Sequence, residues 1–130
     1  MDNLKKFYIN GEWIDSISSN TLAVINPATE VQIGSIAMGG KRDVDAAVSA
    51  ANIAFKTFSN TSKEERLELL KNLRLVTQRR FEELAQAITL EMGAPITMSR
   101  DAQADASIGH LDGFIQALEK LEARITLSNG

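Results

Sequence analysis

At the glycine pair Gly39-Gly40 the hydrophobic pattern of this chain changes period. Upstream, apolar residues come in short β-prone runs. Downstream, they repeat at three- and four-residue intervals, the spacing of a helix face. A chain patterned in this way folds as α+β, with a small β region over 1–40 and three long helices over 41–125. Its 130 residues, with only two prolines and eight glycines, suit one globular unit rather than a disordered or collagen-like chain. The whole of 1–130 is therefore read as one segment, with a change of layer at the glycine pair.

In the β region, Phe7-Tyr8-Ile9-Asn10-Gly11-Glu12-Trp13-Ile14 places Asn-Gly between two apolar-aromatic runs. Asn-Gly accepts positive φ at both centres of a type I′ turn, so a two-residue hairpin is expected. Its register would set Tyr8 against Trp13 and Phe7 against Ile14. A second strand, Leu22–Ile25, stops at the turn Asn26-Pro27-Ala28-Thr29. Another follows over Val31–Ala37, where Gly34 suggests a bulge.

Past the glycines, Val44, Ala47, Val48, Ala51, Phe55 and Phe58 lie at helical spacing, behind Asp43 and Asp45 at the N-terminal end. The second helix opens with the capping box Ser62-Lys63-Glu64-Glu65 and stops at Gly93, with Pro95 beyond. Read as unbroken, it spans about 30 residues, or about 45 Å. The third helix is expected over Ile96–Arg124, with Gly109 and Gly113 allowing close approach by a neighbour.

Several function classes are disfavoured by counts alone. A net charge of −3 offers no broad positive field for nucleic acid. No apolar run is long enough to span a bilayer, and no apolar stretch follows Lys5-Lys6 as a signal peptide would require, so a cytoplasmic protein is expected. The complete lack of cysteine excludes disulfides, thiolate metal sites and thiol nucleophiles within these residues.

Candidate chemistry is correspondingly sparse. Gly34–Arg42 has the outline of a phosphate loop, but Lys41 is one place late and Arg42 stands where a Mg²⁺-binding hydroxyl is needed. His110 is the only histidine, with no nucleophile beside it, and is read as packing or solvent-facing. Glu64-Glu65, Glu82-Glu83 and Asp101 with Asp105 are read as solvated helix surface. Glu91 stands apart: it lies at the C-terminal end of a helix, where the dipole disfavours an anion. Either a cation or a buried donor holds it there, or its placement is chance.

Taken in order, Tyr8-Ile9-Asn10-Gly11-Glu12-Trp13, Val24-Ile25-Asn26-Pro27-Ala28-Thr29 and Asp43-Val44-Asp45-Ala46-Ala47-Val48 resemble the opening of the aldehyde dehydrogenase superfamily. The likeness continues through Glu65-Arg66 and Leu90-Glu91-Met92-Gly93-Ala94-Pro95 to about residue 120. Ala94 departs from it, since many members carry lysine there.

The resemblance implies the N-terminal portion of an α/β, Rossmann-like NAD(P)-binding domain. It also implies the family reaction, oxidation of an aldehyde to an acid: a thiolate attacks the carbonyl, hydride passes to NAD or NADP, and water releases the thioester. No catalytic or cofactor-binding residue of that reaction maps onto this chain, which by itself is expected to be inactive. Some members hold a monovalent cation through carbonyls before the Asn-Pro turn and a carboxylate at the end of the second helix. Those positions map to Val24, Ile25 and Glu91. Homo-oligomerisation, or self-association through uncovered helix faces, is also expected. The alternative is a non-enzymatic module that pairs with a full-length dehydrogenase subunit.

Overall fold

The computed structural model describes residues 5–121. Strands β1 (Lys6–Ile9) and β2 (Glu12–Asp15) form one antiparallel hairpin, and β3 (Thr21–Asn26) and β4 (Val31–Ala37) form another. Helices α1 (Lys41–Phe58), α2 (Lys63–Arg79) and α3 (Phe81–Met92) follow. A last helical stretch runs from the short α4 (Ile96–Met98) through a π-helical segment (Ser99–Ala104) into α5 (Asp105–Lys120). The α+β class expected from the pattern is the one observed.

The first hairpin has the expected register, with Tyr8 opposite Trp13 and Phe7 opposite Ile14. Asn10 and Gly11 take φ of 54° and 82°, as a type I′ turn requires. The Tyr8 and Trp13 rings lie 5.3 Å apart, tilted at 57°. In the second hairpin Val24 pairs with Gly34 but Ile25 pairs with Gln32, so one extra residue bulges from β4 beside the glycine.

Helix α1 begins at Lys41, two residues before Asp43, because the Asp43 side chain reaches back to cap it. The carboxylate accepts the Gly40 N–H at 2.8 Å and, from the preceding connection, the Ile17 N–H at 2.8 Å and the Ser16 hydroxyl at 3.3 Å. At 5% exposure it is a buried anion met by three donors, which joins the β region to the first helix. At the start of α2, Ser62 and Glu65 bond each other's backbone N–H, at 3.1 and 2.7 Å.

Two helix boundaries differ from expectation. The second helix is not continuous: Arg80, at φ −102° and ψ 16°, leaves the helical region and separates α2 from α3. Neither glycine nor proline stands at the break. The reason is tertiary, since α2 packs on α5 while α3 packs on the π-helical segment. The third helix is likewise not uniform, widening over Ser99–Ala104, and α5 is described to Lys120. The expected end near Arg124 lies outside the described residues.

Polar staples join these helix pairs. The Arg74 guanidinium forks onto the Asp112 carboxylate, and Lys71 lies 3.5 Å from Glu119, tying α2 to α5. Arg100 forks onto Glu82, tying the π-helical segment to α3. Ala85 and Ala104 are fully buried and Ile115 nearly so, and they are the only buried hydrophobic residues among those described. Larger apolar side chains remain at the surface, including Val44, Val48, Phe55 and Phe58 along α1.

Candidate functional site

The β3–β4 turn and the end of α3 meet in one place. In the turn, the Asn26 carbonyl accepts the Thr29 and Glu30 N–H groups, and the Asn26 side chain accepts the Ala28 N–H at 2.9 Å. Pro27 projects from it toward Gly93, which closes α3 in the left-handed conformation at φ 70°. A Cβ on Gly93 would stand 2.8 Å from Pro27 Cγ and 3.1 Å from the Ala28 nitrogen. Glycine is needed here for both the backbone angle and the space.

The three residues proposed from sequence as cation ligands flank this junction. Val24 and Ile25 are the last residues of β3 before Asn26, and Glu91 lies two residues before Gly93, with its side chain exposed. As a donor set, two backbone carbonyls and a carboxylate would be all oxygen, the chemistry that suits a hard cation. Among the described residues, no three His, Cys, Asp or Glu side chains gather as a metal cluster. Any cation held here therefore depends on main-chain oxygen.

A polar group behind the junction has no signature in the residue pattern. Ser99 is fully buried and accepts a hydrogen bond from the Thr89 hydroxyl at 2.9 Å. It also lies 3.4 Å from Gln103 Oε1, to which it can donate. Thr89 accepts the Gly93 N–H through its carbonyl, so the π-helical segment is tied to the turn of α3 that carries Glu91. Serine in a helical pattern is ambiguous, and only the widened turn shows that its hydroxyl faces inward.

The remaining charges hold structure. The Arg100 guanidinium, aided by the Gln86 amide, holds the Glu82 carboxyl down to about 2. Glu82 is thus half of an ion pair rather than free solvated surface. Backbone donors from Ile17 and Gly40 lower Asp43, and Arg74 lowers Asp112. With Asp112 committed to Arg74, His110 stays exposed on α5, and the Ser107 hydroxyl three residues before it donates to the Ala104 carbonyl. Among the described residues the grooves are open depressions, such as the one beside Phe7, Ile9 and Val44.

Comparison with known proteins decides what this junction belongs to. The sequence profile of the "Aldehyde dehydrogenase family" matches residues 13–130. The chain belongs to the aldehyde dehydrogenase family. A Staphylococcus haemolyticus protein named for the aldehyde dehydrogenases is 43% identical over 122 residues, which cover 94% of this chain and 26% of the relative. The crystal structure of an aldehyde dehydrogenase from Bartonella henselae superposes with a TM-score of 0.94 at 38% identity, over 100% of this chain and 27% of that one. A mutant of aldehyde dehydrogenase C from Pseudomonas syringae, solved with NAD+ and octanal, gives 0.92 at 38% identity over 97% and 26%. This aldehyde dehydrogenase chain thus spans about a quarter of the length of the relatives it matches, and its fold corresponds to their N-terminal portion.

Proposed function

We propose that the protein to which these residues contribute oxidises an aldehyde to the carboxylic acid with NAD or NADP, and that residues 1–130 supply scaffold rather than catalytic groups. Family membership carries the reading, supported by a fold that matches at a TM-score of 0.94. The lack of cysteine among all 130 residues bears on the second half, since no thiolate can form here.

The residues present do not form a nicotinamide site. The glycine pair between β4 and α1 lacks the Gly-x-Gly-x-x-Gly spacing of a dinucleotide turn, so no step of hydride transfer is assigned to these residues. Their contribution is positional: the turn at Asn26-Pro27 and the end of α3 brace one another, and Val24, Ile25 and Glu91 would offer oxygen to a monovalent cation. We place the protein in the cytoplasm as a homo-oligomer. No helix among the described residues is long and apolar enough to cross a membrane.

The test is absorbance at the reduced-nicotinamide band, with aliphatic and aromatic aldehydes and both cofactors. Residues 1–130, purified free of host dehydrogenases, are expected to give no turnover. Turnover that survived purification and disappeared on mutating a residue of this chain would overturn the scaffold reading.

A further inference from the structure

The loop of the first hairpin brings an exposed side-chain amide beside an unhindered backbone nitrogen. Asn10 and Gly11 are both exposed, at φ of 54° and 82°. Ile9 and Glu12 close the ladder across them, so the Gly11 N–H lies outside the strand hydrogen bonds. Nothing stands within 4 Å of the place a Cβ on Gly11 would take. Among the described residues no side-chain hydrogen bond holds the Asn10 amide, whereas the Asn26 side chain accepts the Ala28 N–H and the Asn60 side chain donates to the Lys56 carbonyl.

The following residue sets Asn10 apart from the other described asparagines. An asparagine amide is attacked by the backbone nitrogen of the next residue, and a side chain on that residue crowds the approach. Asn20, Asn52, Asn60 and Asn72 precede Thr21, Ile53, Thr61 and Leu73, and Asn26 precedes Pro27, whose nitrogen has no proton to lose. Gly11 carries no Cβ to hinder attack. A second Asn-Gly pair, Asn129-Gly130, lies outside the described residues.

We propose that Asn10 is a site of spontaneous covalent modification by its own backbone. The Gly11 N–H gives its proton to base, and a bond forms from its nitrogen to Asn10 Cγ. The Cγ–Nδ2 bond breaks and Nδ2 takes up a proton and leaves as ammonia, closing a cyclic imide. Water then opens either of the imide's two carbonyl–nitrogen bonds. One opening yields an ordinary aspartyl residue at position 10. The other routes the main chain through Cβ, which adds a methylene before Gly11 and frees the α-carboxylate. This isoaspartyl product does not fit the turn, because a type I′ loop holds two residues of ordinary main-chain length. The pairs Tyr8–Trp13 and Phe7–Ile14 lose their register with it. Tyr8 and Trp13, with rings 5.3 Å apart, are the only tyrosine and tryptophan of the chain and therefore report the change. The inference does not depend on the reaction proposed above.

The experiment incubates the folded chain at neutral and mildly alkaline pH, with a parallel sample in urea, and follows the tryptic peptide 7–41 by mass spectrometry. Fragment ions separate Asn10 from Asn20 and Asn26, and Asn129 falls on another peptide. In the folded chain Asn10 is expected to gain the mass of an NH2-to-OH exchange before Asn20 and Asn26, at a rate that rises in proportion to hydroxide. The near-ultraviolet circular dichroism of the Tyr8–Trp13 pair should be lost in step with the isoaspartyl fraction. Asn10→Gly removes the amide but keeps a turn-forming pair, and should hold that signal over the same period. Asn10→Asp carries the new charge without the added methylene and should begin with the native signal. Conversion of Asn10 only in urea would overturn the proposal, as would earlier conversion of Asn20 or Asn26, or equal loss of signal in Asn10→Gly. An isoaspartyl fraction that left the aromatic signal unchanged would overturn its effect on the hairpin.

Discussion

Gly93 and Pro27 stand so close that a single added methyl would bring them to 2.8 Å. This one contact seats the end of α3 on the β3–β4 turn. Gly93→Ala meets the proline ring and also requires φ of 70° from an L side chain. The expected cost is about 2 kcal/mol or more in urea unfolding. Adding Pro27→Ala should recover only part of it, because the Ala28 nitrogen still lies 3.1 Å from the new carbon. A Gly93→Ala chain as stable as the native one would show that the junction does not hold α3.

Removing the buried Ser99 hydroxyl leaves Thr89 and Gln103 without their shared partner. Ser99→Ala is expected to destabilise the chain by about 1–3 kcal/mol. Combining it with Thr89→Val should cost less than the two single changes together, because the second removes a group left unpaired by the first. Strict additivity of the denaturation free energies would argue against a coupled network.

Acid should weaken the fold in a defined window. Glu82 falls from its ordinary 4.5 to about 2 through the Arg100 and Gln86 hydrogen bonds. A lowered carboxyl contributes stability that is fully present above its unfolded value and is lost as pH falls through the folded one. The Glu82 contribution therefore declines between about 4.5 and about 2. Asp43 and Asp112, also lowered, lose theirs below 3.8. Solvent screening keeps the exposed Glu82 pair modest. Thermal midpoints measured from pH 7 downward should fall through this window, and Glu82→Gln should make the fall shallower. An unchanged slope in that variant would remove Glu82 from the account.

If Val24, Ile25 and Glu91 hold a monovalent cation, sodium or potassium should raise the unfolding midpoint relative to choline at equal ionic strength. The rise is expected to be small, since few oxygens of a shell come from these residues. Glu91→Gln should abolish it. A cation response that persisted in that variant would place the ion elsewhere.

The features legible in sequence were those written by local chemistry. Asn10-Gly11 determined the first hairpin and its register, Ser62 with Glu65 marked the start of α2, and Gly93 marked the end of α3. The break at Arg80 was not legible, because its cause is the choice of different partners by α2 and α3. The π-helical segment was hidden for the same reason, and with it the inward turn of Ser99. Glu82 looked like solvated surface because its partner, Arg100, lies 18 residues away on another element. Of the candidate site, Val24, Ile25 and Glu91 remain a proposal from the family resemblance, while the close approach of Gly93 to Pro27 required the folded chain.

The break at Arg80 also divides the cross-links of the bundle. An unbroken helix would carry fraying at one end toward the other as a single cooperative unit. Here α2 with α5 and α3 with the π-helical segment have separate staples, and the two pairs stay joined because the π-helical segment runs directly into α5. Amide hydrogens of α2 are therefore expected to exchange sooner than those at the end of α3, which is seated on Pro27.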